Sequence, residues 1–306
     1  MQPRATILAL VPALLLSVHV AAAQDSTPPR ETAEEFESKL GYQTGTINLK
    51  DGLATLTLPS DFRFLATEGA TRLLEEGWGN PPGSSEGVLG MIIPTEFSPL
   101  SDEGWGVIIT FDEDGYVDDK GALEIDYVKL LKEMQASTEE TSAQRVKDGY
   151  GPIHLIGWAE PPSYNAATHK MYWAKELMFS DSGAHTLNYN VRVLGRRGVL
   201  VLNAVGNMGQ LPTIKPAMQQ VLGFVEFKDG HRYADYLPGK DKAATYGVAG
   251  LVAGAIATKA GFFKLLLAGL IAAKKLVIVA GVAVVAFVKK MMGRGTTPKE
   301  TPTSSG

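Results

Sequence analysis

Between residues 243 and 288 the chain has no acidic residue and no proline, and Gly, Ala, Val and Leu dominate. Few soluble structures accept such a stretch, because a helix in water needs a wide polar face. Lysines interrupt it at 259, 264, 274 and 275, and Lys289, Lys290 and Arg294 close it. The uncharged runs are 243–258, 265–273 and 276–288. At ~1.5 Å per residue the last covers about 20 Å of a ~30 Å hydrocarbon core. Lysines at its ends extend that reach by snorkelling. Carrying the first run on to Phe263 gives a span-length segment, in which Gly250 and Gly254 form a small-xxx-small pair for close helix packing in lipid. Three arrangements fit: one span with an amphipathic helix in the interface, a hairpin of two short helices, or a soluble Gly/Ala-rich helix pair. No Asn-Gly or Pro marks a turn near the middle, which favours the single span. The expectation is a membrane-anchoring helical segment over 243–292, its basic end cytoplasmic, followed by a disordered tail over 293–306.

Charge is segregated in the same way. The net charge is only −4, yet residues 24–242 carry 20 basic and 32 acidic side chains, while 243–306 carry eight basic and one acidic. The acidic excess lies in residues 24–160, with 10 basic and 26 acidic, which argues against nucleic acid as a partner. Residues 161–242 are mildly basic, with Arg196-Arg197, and suit a face turned to anionic headgroups or ordinary solubility. The absence of cysteine excludes a disulfide scaffold, a thiol nucleophile and an iron–sulfur site. At the N-terminus, Arg4, an apolar run over 5–16 and Ala21-Ala22-Ala23 read as a signal peptide over 1–23. A polar, flexible lead over 24–30 comes next. The expected location is the cytoplasmic (inner) membrane, with a domain over 31–237 on the periplasmic or extracytoplasmic side and the bilayer as one partner.

That domain alternates strand and helix signals. Residues 31–40 carry helix formers, with Phe36 and Leu40 on one face. Asp51-Gly52 between alternating runs at 46–49 and 53–58 signals a hairpin. A short helix at 71–76, strands at 88–93 and 106–111, and a helix over 122–147 with Leu123, Tyr127, Leu130, Leu131 and Met134 in its apolar stripe come next. Residues 153–158, 169–179, 184–194 and 199–205 read as consecutive antiparallel strands, with 180–183 and 195–198 as tight connections. A helix at 211–222 and a strand at 224–227 complete an α+β architecture: an antiparallel sheet with flanking helices.

Trp78-Gly79-Asn80-Pro81-Pro82, Trp105-Gly106-Val107-Ile108-Ile109-Thr110 and Gly157-Trp158-Ala159-Glu160-Pro161-Pro162 resemble stretches of a bacterial family of uncharacterised, membrane-anchored proteins. So do residues 169–179 and 187–205, and Tyr233-Ala234-Asp235. The resemblance implies an envelope location and a membrane anchor, and carries no activity or site residue with it. The strand–helix–strand order of 199–227 is similar to the end of PsbP/Mog-type α+β sandwiches, which is a hint of fold alone.

Several groups of residues bear on chemistry. Asp112, Asp114 and Asp118, around Gly115, offer carboxylates for Ca²⁺, although their spacing is not that of a helix–loop–helix calcium loop. The plainer expectation is a solvated hairpin turn between 107–111 and 116–117. The histidines at 154, 169, 185 and 231 lack a metal spacing. No nucleophile elbow surrounds a serine, and no phosphate-cradling Gly loop occurs. The long strands are richer. Pairing Met171, Trp173 and Leu177 with Val193, Val191 and Leu187 collects Lys170, Tyr172 and Glu176 with Asn188, Asn190 and Arg192 on the other face. Asn203, in an otherwise apolar strand, is expected near Asn190, and a buried Asn needs a bonding partner. Such a face is either a binding surface or the wet side of a sheet. As a binding surface, Arg192 takes an anionic group, Glu176 and the amides take hydroxyls, and Tyr172 and Trp158 offer flat faces.

The expected function is a membrane-anchored envelope binding or scaffolding module without a cofactor, whose partner is another envelope protein or a small ligand. The alternative is an envelope hydrolase or transferase using Glu176 with Glu160 or Asp235 as paired carboxylates. A pore built from anchors that associate through Gly250 and Gly254 is a third class.

Overall fold

A computed structural model describes residues 31–80, 82–147, 151–179 and 183–254. The expected signal peptide, lead, tail and the remainder of the anchoring segment lie outside the described residues, as do residues 180–182 of the connection expected at 180–183. Apart from Glu31 and Thr32, the described residues all belong to one compact unit that begins at Ala33. In chain order it comprises α1 (Ala33–Ser38), β1 (Thr46–Leu49), β2 (Ala54–Thr57), β3 (Phe62–Ala66), α2 (Thr67–Arg72), β4 (Val88–Pro94), β5 (Gly106–Asp112) and α3 (Tyr127–Lys147). Then come β6 (Ile153–Asn165), β7 (Lys170–Phe179), β8 (Ala184–Leu194), β9 (Val199–Asn207), α4 (Leu211–Phe224), β10 (Val225–Phe227) and α5 (Val248–Ala253). Among the described residues the strands form two antiparallel sheets: β3-β4-β5-β9-β8-β7-β6 and β1-β2-β10. The fold is α+β, as the strand runs imply.

Local chemistry accounts for most element boundaries. The β1–β2 hairpin closes through Lys50, Asp51 and Gly52 at φ 40°, 53° and 90°. Only glycine takes that region without a Cβ clash, so the flanking ladder holds the other two there. Asp126 Oδ1 accepts the backbone N–H of Val128 and of Lys129, each at 3.0 Å, and so caps the start of α3. The helix expected from 122 is therefore divided. Ala122–Glu124 is a separate turn, and Leu123, expected on the apolar stripe, is 78% exposed. The expected turn after Asp112 is not a hairpin either: Tyr116 bridges to Ala243 instead. Strand β3 has no counterpart in the sequence reading, although Phe62 and Phe64 alternate and are buried.

Both faces of the larger sheet are covered. On one, Leu187, Tyr189, Val191, Leu200 and Leu202 pack against Ile214, Met218 and Val221 of α4 and Leu49, Leu56 and Val225 of the small sheet. On the other, Met171, Trp173, Leu194, Val199 and Val201 meet Leu130 and Met134 of α3 and Val248, Leu251 and Val252 of α5. Farther along, Leu65, Met91, Ile93 and Ile108 pack with Phe36 of α1 and with Leu73 and Leu74, just after α2. Each fully buried aliphatic side chain contributes ~1.5–3 kcal/mol, so a sheet filled on both sides carries most of the stabilisation.

Helix α5 lies at the start of the expected anchoring segment. It lies within the segment expected to meet lipid from 243 onward, yet one face of it packs on protein: Leu251 and Val252 are each 1% exposed, while Ala249 and Ala253 are exposed. The cause is a backbone clasp. Tyr116 N–H donates to Lys242 O at 2.9 Å and Ala244 N–H to Tyr116 O at 2.8 Å, which draws the chain onto the unit before α5 begins. Gly254, at φ 87°, ends the helix. Gly250, read as part of a lipid-facing pair, thus belongs to a helix of the folded unit. Among the described residues no helix is long and apolar enough to cross a membrane.

Candidate functional site

Strand register decides which side chains share a face. Phe179 stands opposite Ala184, so Lys170, Tyr172 and Trp173 stand opposite Val193, Val191 and Asn190. This is one residue away from the expected pairing, and a slip of one exchanges the faces. Tyr172 and Glu176 therefore lie on the α4 side, away from Asn188, Asn190 and Arg192. Asn203 does stand opposite Asn190. Trp158 pairs with Lys175, which stands opposite Asn188, so Trp158 remains on the side of the asparagines.

The result is a polar row inside the layer between the sheet and α3 and α5. Asn188, Asn190, Arg192 and Asn203 are 5%, 3%, 6% and 3% exposed, so the face is not the wet side of a sheet. Along β8 the side chains link at every second residue. Arg192 Nη2 donates to Asn190 Oδ1 at 3.4 Å, and Asn190 Nδ2 donates to Asn188 Oδ1 at 2.7 Å. Arg192 Nη1 donates to the carbonyl of Val191 at 2.9 Å, and its guanidinium carbon is 4.9 Å from the Trp173 ring centroid. The ring face steadies the cation without neutralising it.

Several polar atoms here have no partner. Asn203 Oδ1 and Asp112 Oδ2 are unpaired acceptors, Arg192 Nε and the Trp173 indole Nε1 are unpaired donors, and the Thr110 hydroxyl, which can play either role, is unpaired as well. Thr110 stands opposite Val201, and Asp112 opposite Val199, on the strand beside Asn203. A buried polar group without a partner costs ~1–3 kcal/mol, so such a concentration requires a reason.

The electrostatics are equally unbalanced. Neither Lys175 nor Arg192 forms an ion pair among the described residues. Burial, reinforced by the positive charge of Arg192, pushes the half-buried Lys175 ammonium down to about 8. Burial also lowers Arg192, partly offset by the charge of Asp112. Asp112 is itself raised to about 6 by desolvation, against the pull of Arg192. Two cations thus share a face with one carboxylate that is reluctant to ionise.

The remaining candidates are engaged elsewhere. Glu160 accepts a hydrogen bond from Tyr189 at 2.9 Å and pairs with Lys215 at 3.0 Å, on the α4 side. Glu176 pairs with His185 at 2.5 Å. Asp235 accepts the backbone N–H of Gly230 and of Arg232, holding a turn. Tyr172 stacks near Tyr189 at 6.3 Å. Lys170, expected on the binding face, reaches the end of α4 and donates to Leu222 O and Val225 O at 2.8 and 2.9 Å. Asp114 accepts from Tyr246, and Asp118 from the Lys120 backbone. Among the described residues no three His, Asp or Glu side chains gather to hold a metal ion, so the oxygen clamp of Asp112, Asp114 and Asp118 is not formed.

Three contributors to the row, Lys175, Trp173 and Thr110, were missed as site residues. For Lys175 the signal was present: the alternation that makes Met171, Trp173 and Leu177 one face places a lysine among them. A second cluster also escaped notice. Asp119 Oδ2 accepts from Tyr164 at 2.5 Å and meets His169 Nδ1 at 3.2 Å, while the His169 ring, at φ 52°, stacks on Tyr233 at 4.0 Å. Burial is the largest single influence on the Asp119 carboxyl and raises it, but hydrogen bonds from Tyr164, Tyr233 and His169 together hold it below its usual value.

Comparison with solved structures finds cyanobacterial PsbP (CyanoP) from Synechocystis, 10% identical, with a TM-score of 0.34, covering 62% of this chain and 94% of that one. LpqN of Mycobacterium tuberculosis, described as involved in cell envelope biogenesis, is 16% identical with a TM-score of 0.32, covering 66% and 99%. The Ran-binding protein Mog1p of Saccharomyces cerevisiae is 9% identical with a TM-score of 0.30, covering 61% and 96%. Likenesses this slight carry no argument about ligand or role. No curated protein matches the sequence. The sequence model of the family described as "Protein of unknown function (DUF2167)" matches residues 41–287, and the chain belongs to that family.

Proposed function

We propose that this protein is a cell-envelope binding module whose α+β domain faces the extracytoplasmic side, is held at the cytoplasmic membrane by its C-terminal segment, and binds a small ligand at the polar row. The observation that carries the ligand site is the set of unpaired polar atoms of Asn203, Thr110, Arg192 and Trp173, aimed into one buried layer. A row that served only to hold the sheet together would be satisfied internally, because unpaired groups lower stability. The export signal at 1–23 and the lysine-punctuated run beyond 254 support the location.

The site is tested by native mass spectrometry of the full-length chain extracted gently from membranes. The expected result is a stoichiometric small molecule that is lost when Asn190 and Asn203 are both replaced by Leu. A mass equal to the bare polypeptide under every condition would remove the ligand site. Location is tested separately by protease protection in spheroplasts with tags at Gln24 and Gly306. The first tag should be cut in intact spheroplasts and the second only after they are opened.

A further inference from the structure

The row has its own chemical preference, which bears on function only if the row is a ligand site as proposed. Its unpaired donors belong to Arg192 and Trp173, joined by Lys175, whose ammonium makes no hydrogen bond among the described residues; its unpaired acceptors belong to Asn203 and Asp112, and the Thr110 hydroxyl can serve in either role. Two of the donors are cations without an ion pair among the described residues. A carboxylate or phosphate group satisfies such donors, because charge-assisted hydrogen bonds to a guanidinium are short and strong and form in pairs. The acceptors need O–H or N–H donors, which a bare anion lacks and a hydroxylated carbon skeleton supplies. From this complementarity we infer that the ligand is a hydroxylated organic anion, of the sugar-acid or sugar-phosphate class, with its charged group between Lys175 and Arg192 and its hydroxyls toward Asn203 and Thr110.

The layout of the face supports this assignment. Arg192 is oriented by the Trp173 ring and by Asn190, so the guanidinium is in place before any ligand arrives. Lys175 and its register partner Trp158 are half-buried, whereas Arg192 and Asn203 are not, so the approach is from the β6 side. Trp158 is itself tied down, its indole N–H donating to Tyr127 O at 3.2 Å. The depressed Lys175 ammonium is consistent with a cation that lacks its counter-charge.

The test is titration calorimetry on the full-length chain in detergent, using glucuronate and glycerol phosphate as probes, with glucose, glycerol, acetate and inorganic phosphate as comparisons. The hydroxylated anions should bind about tenfold or more tighter than either the neutral polyols or the bare anions. Lys175→Met, a half-buried substitution that leaves the core intact, should remove at least a factor of about five of that preference, and Lys175→Arg should restore it. Neutral polyols that bind as tightly as the acids would overturn the anionic assignment and leave the binding site standing. Bare anions that bind as tightly as the hydroxylated ones would overturn the hydroxyl assignment in the same way. Binding of none of the probes overturns the inference, and native mass spectrometry then decides whether the binding reading falls with it.

Discussion

Asn190 of β8 and Asn203 of β9 stand directly opposite one another, both buried, and yet Asn203 Oδ1 has no hydrogen-bond partner. The amide of Asn190 is turned away along its own strand toward Asn188. Among the described residues no hydrogen bond joins the two amides. Here they leave an acceptor open.

Asn203→Val tests that relationship. Removing a buried acceptor that has no partner saves ~1–3 kcal/mol, offset in part by imperfect packing. The variant should melt a few degrees higher than the ligand-free parent in calorimetry, and the co-purifying ligand should be lost. A lower melting temperature would make Asn203 a structural residue.

Lys170 should behave in the opposite way. Its ammonium holds the Leu222 carbonyl in the last turn of α4 and the Val225 carbonyl just beyond it, and pairs with Glu226 at 2.7 Å, where the helix dipole favours a cation. Lys170→Met leaves those carbonyls buried and short of a donor, a cost of ~1–3 kcal/mol. The urea midpoint should fall with an unchanged slope, and ligand binding should persist in the fraction that is folded.

Asp112 gives stability a recognisable pH dependence. Desolvation raises its carboxyl from 3.8 to about 6, so the fold favours the protonated form. The stabilisation that comes from protonation is complete below pH ~4 and is lost as pH rises through 4 to 6. Asp112→Asn should flatten the dependence in that window. Urea melts of both proteins at pH 4 and pH 7 measure the difference directly.

The role of α5 is tested by Leu251→Ala. A buried leucine in a protein core costs ~2–5 kcal/mol when truncated, whereas the same change on a lipid-facing helix leaves the rest of the folded unit untouched. The expected result is a marked fall in melting temperature for the full-length chain. An unchanged melt would return residues 243–254 to the anchor.

Turn and cap residues made much of the architecture legible in advance. Asp51-Gly52 marked the β1–β2 hairpin, and the tight connections at 180–183 and 195–198 marked three consecutive long strands. The break before α3 was less visible, because Asp126 acts as a cap only once the chain turns there. The candidate site was legible in part: Asn188, Asn190, Arg192, Asn203 and Trp158 do share one side, while Tyr172 and Glu176 are on the other. The cause is the double burial of the sheet. When both faces are filled, hydrophobic alternation no longer fixes how β7 pairs with β8, because a shift of one residue still buries apolar side chains on either side.

Composition and pattern by themselves determined an α+β chain, a lysine-bearing apolar C-terminus and an asparagine-rich strand, since each of these is a property of residue order along one element. Tertiary structure alone decided that one face of α5 packs on protein, that Lys170 serves the end of α4, and that Lys175 and Arg192 share a face with the open amide oxygen of Asn203. Those outcomes depend on distant contacts, the clasp of Tyr116 on residues 242–244 and the side-by-side packing of β5, β9, β8 and β7. Burial and charge at one residue are set by whatever chain segment folds over it, and nothing local encodes that.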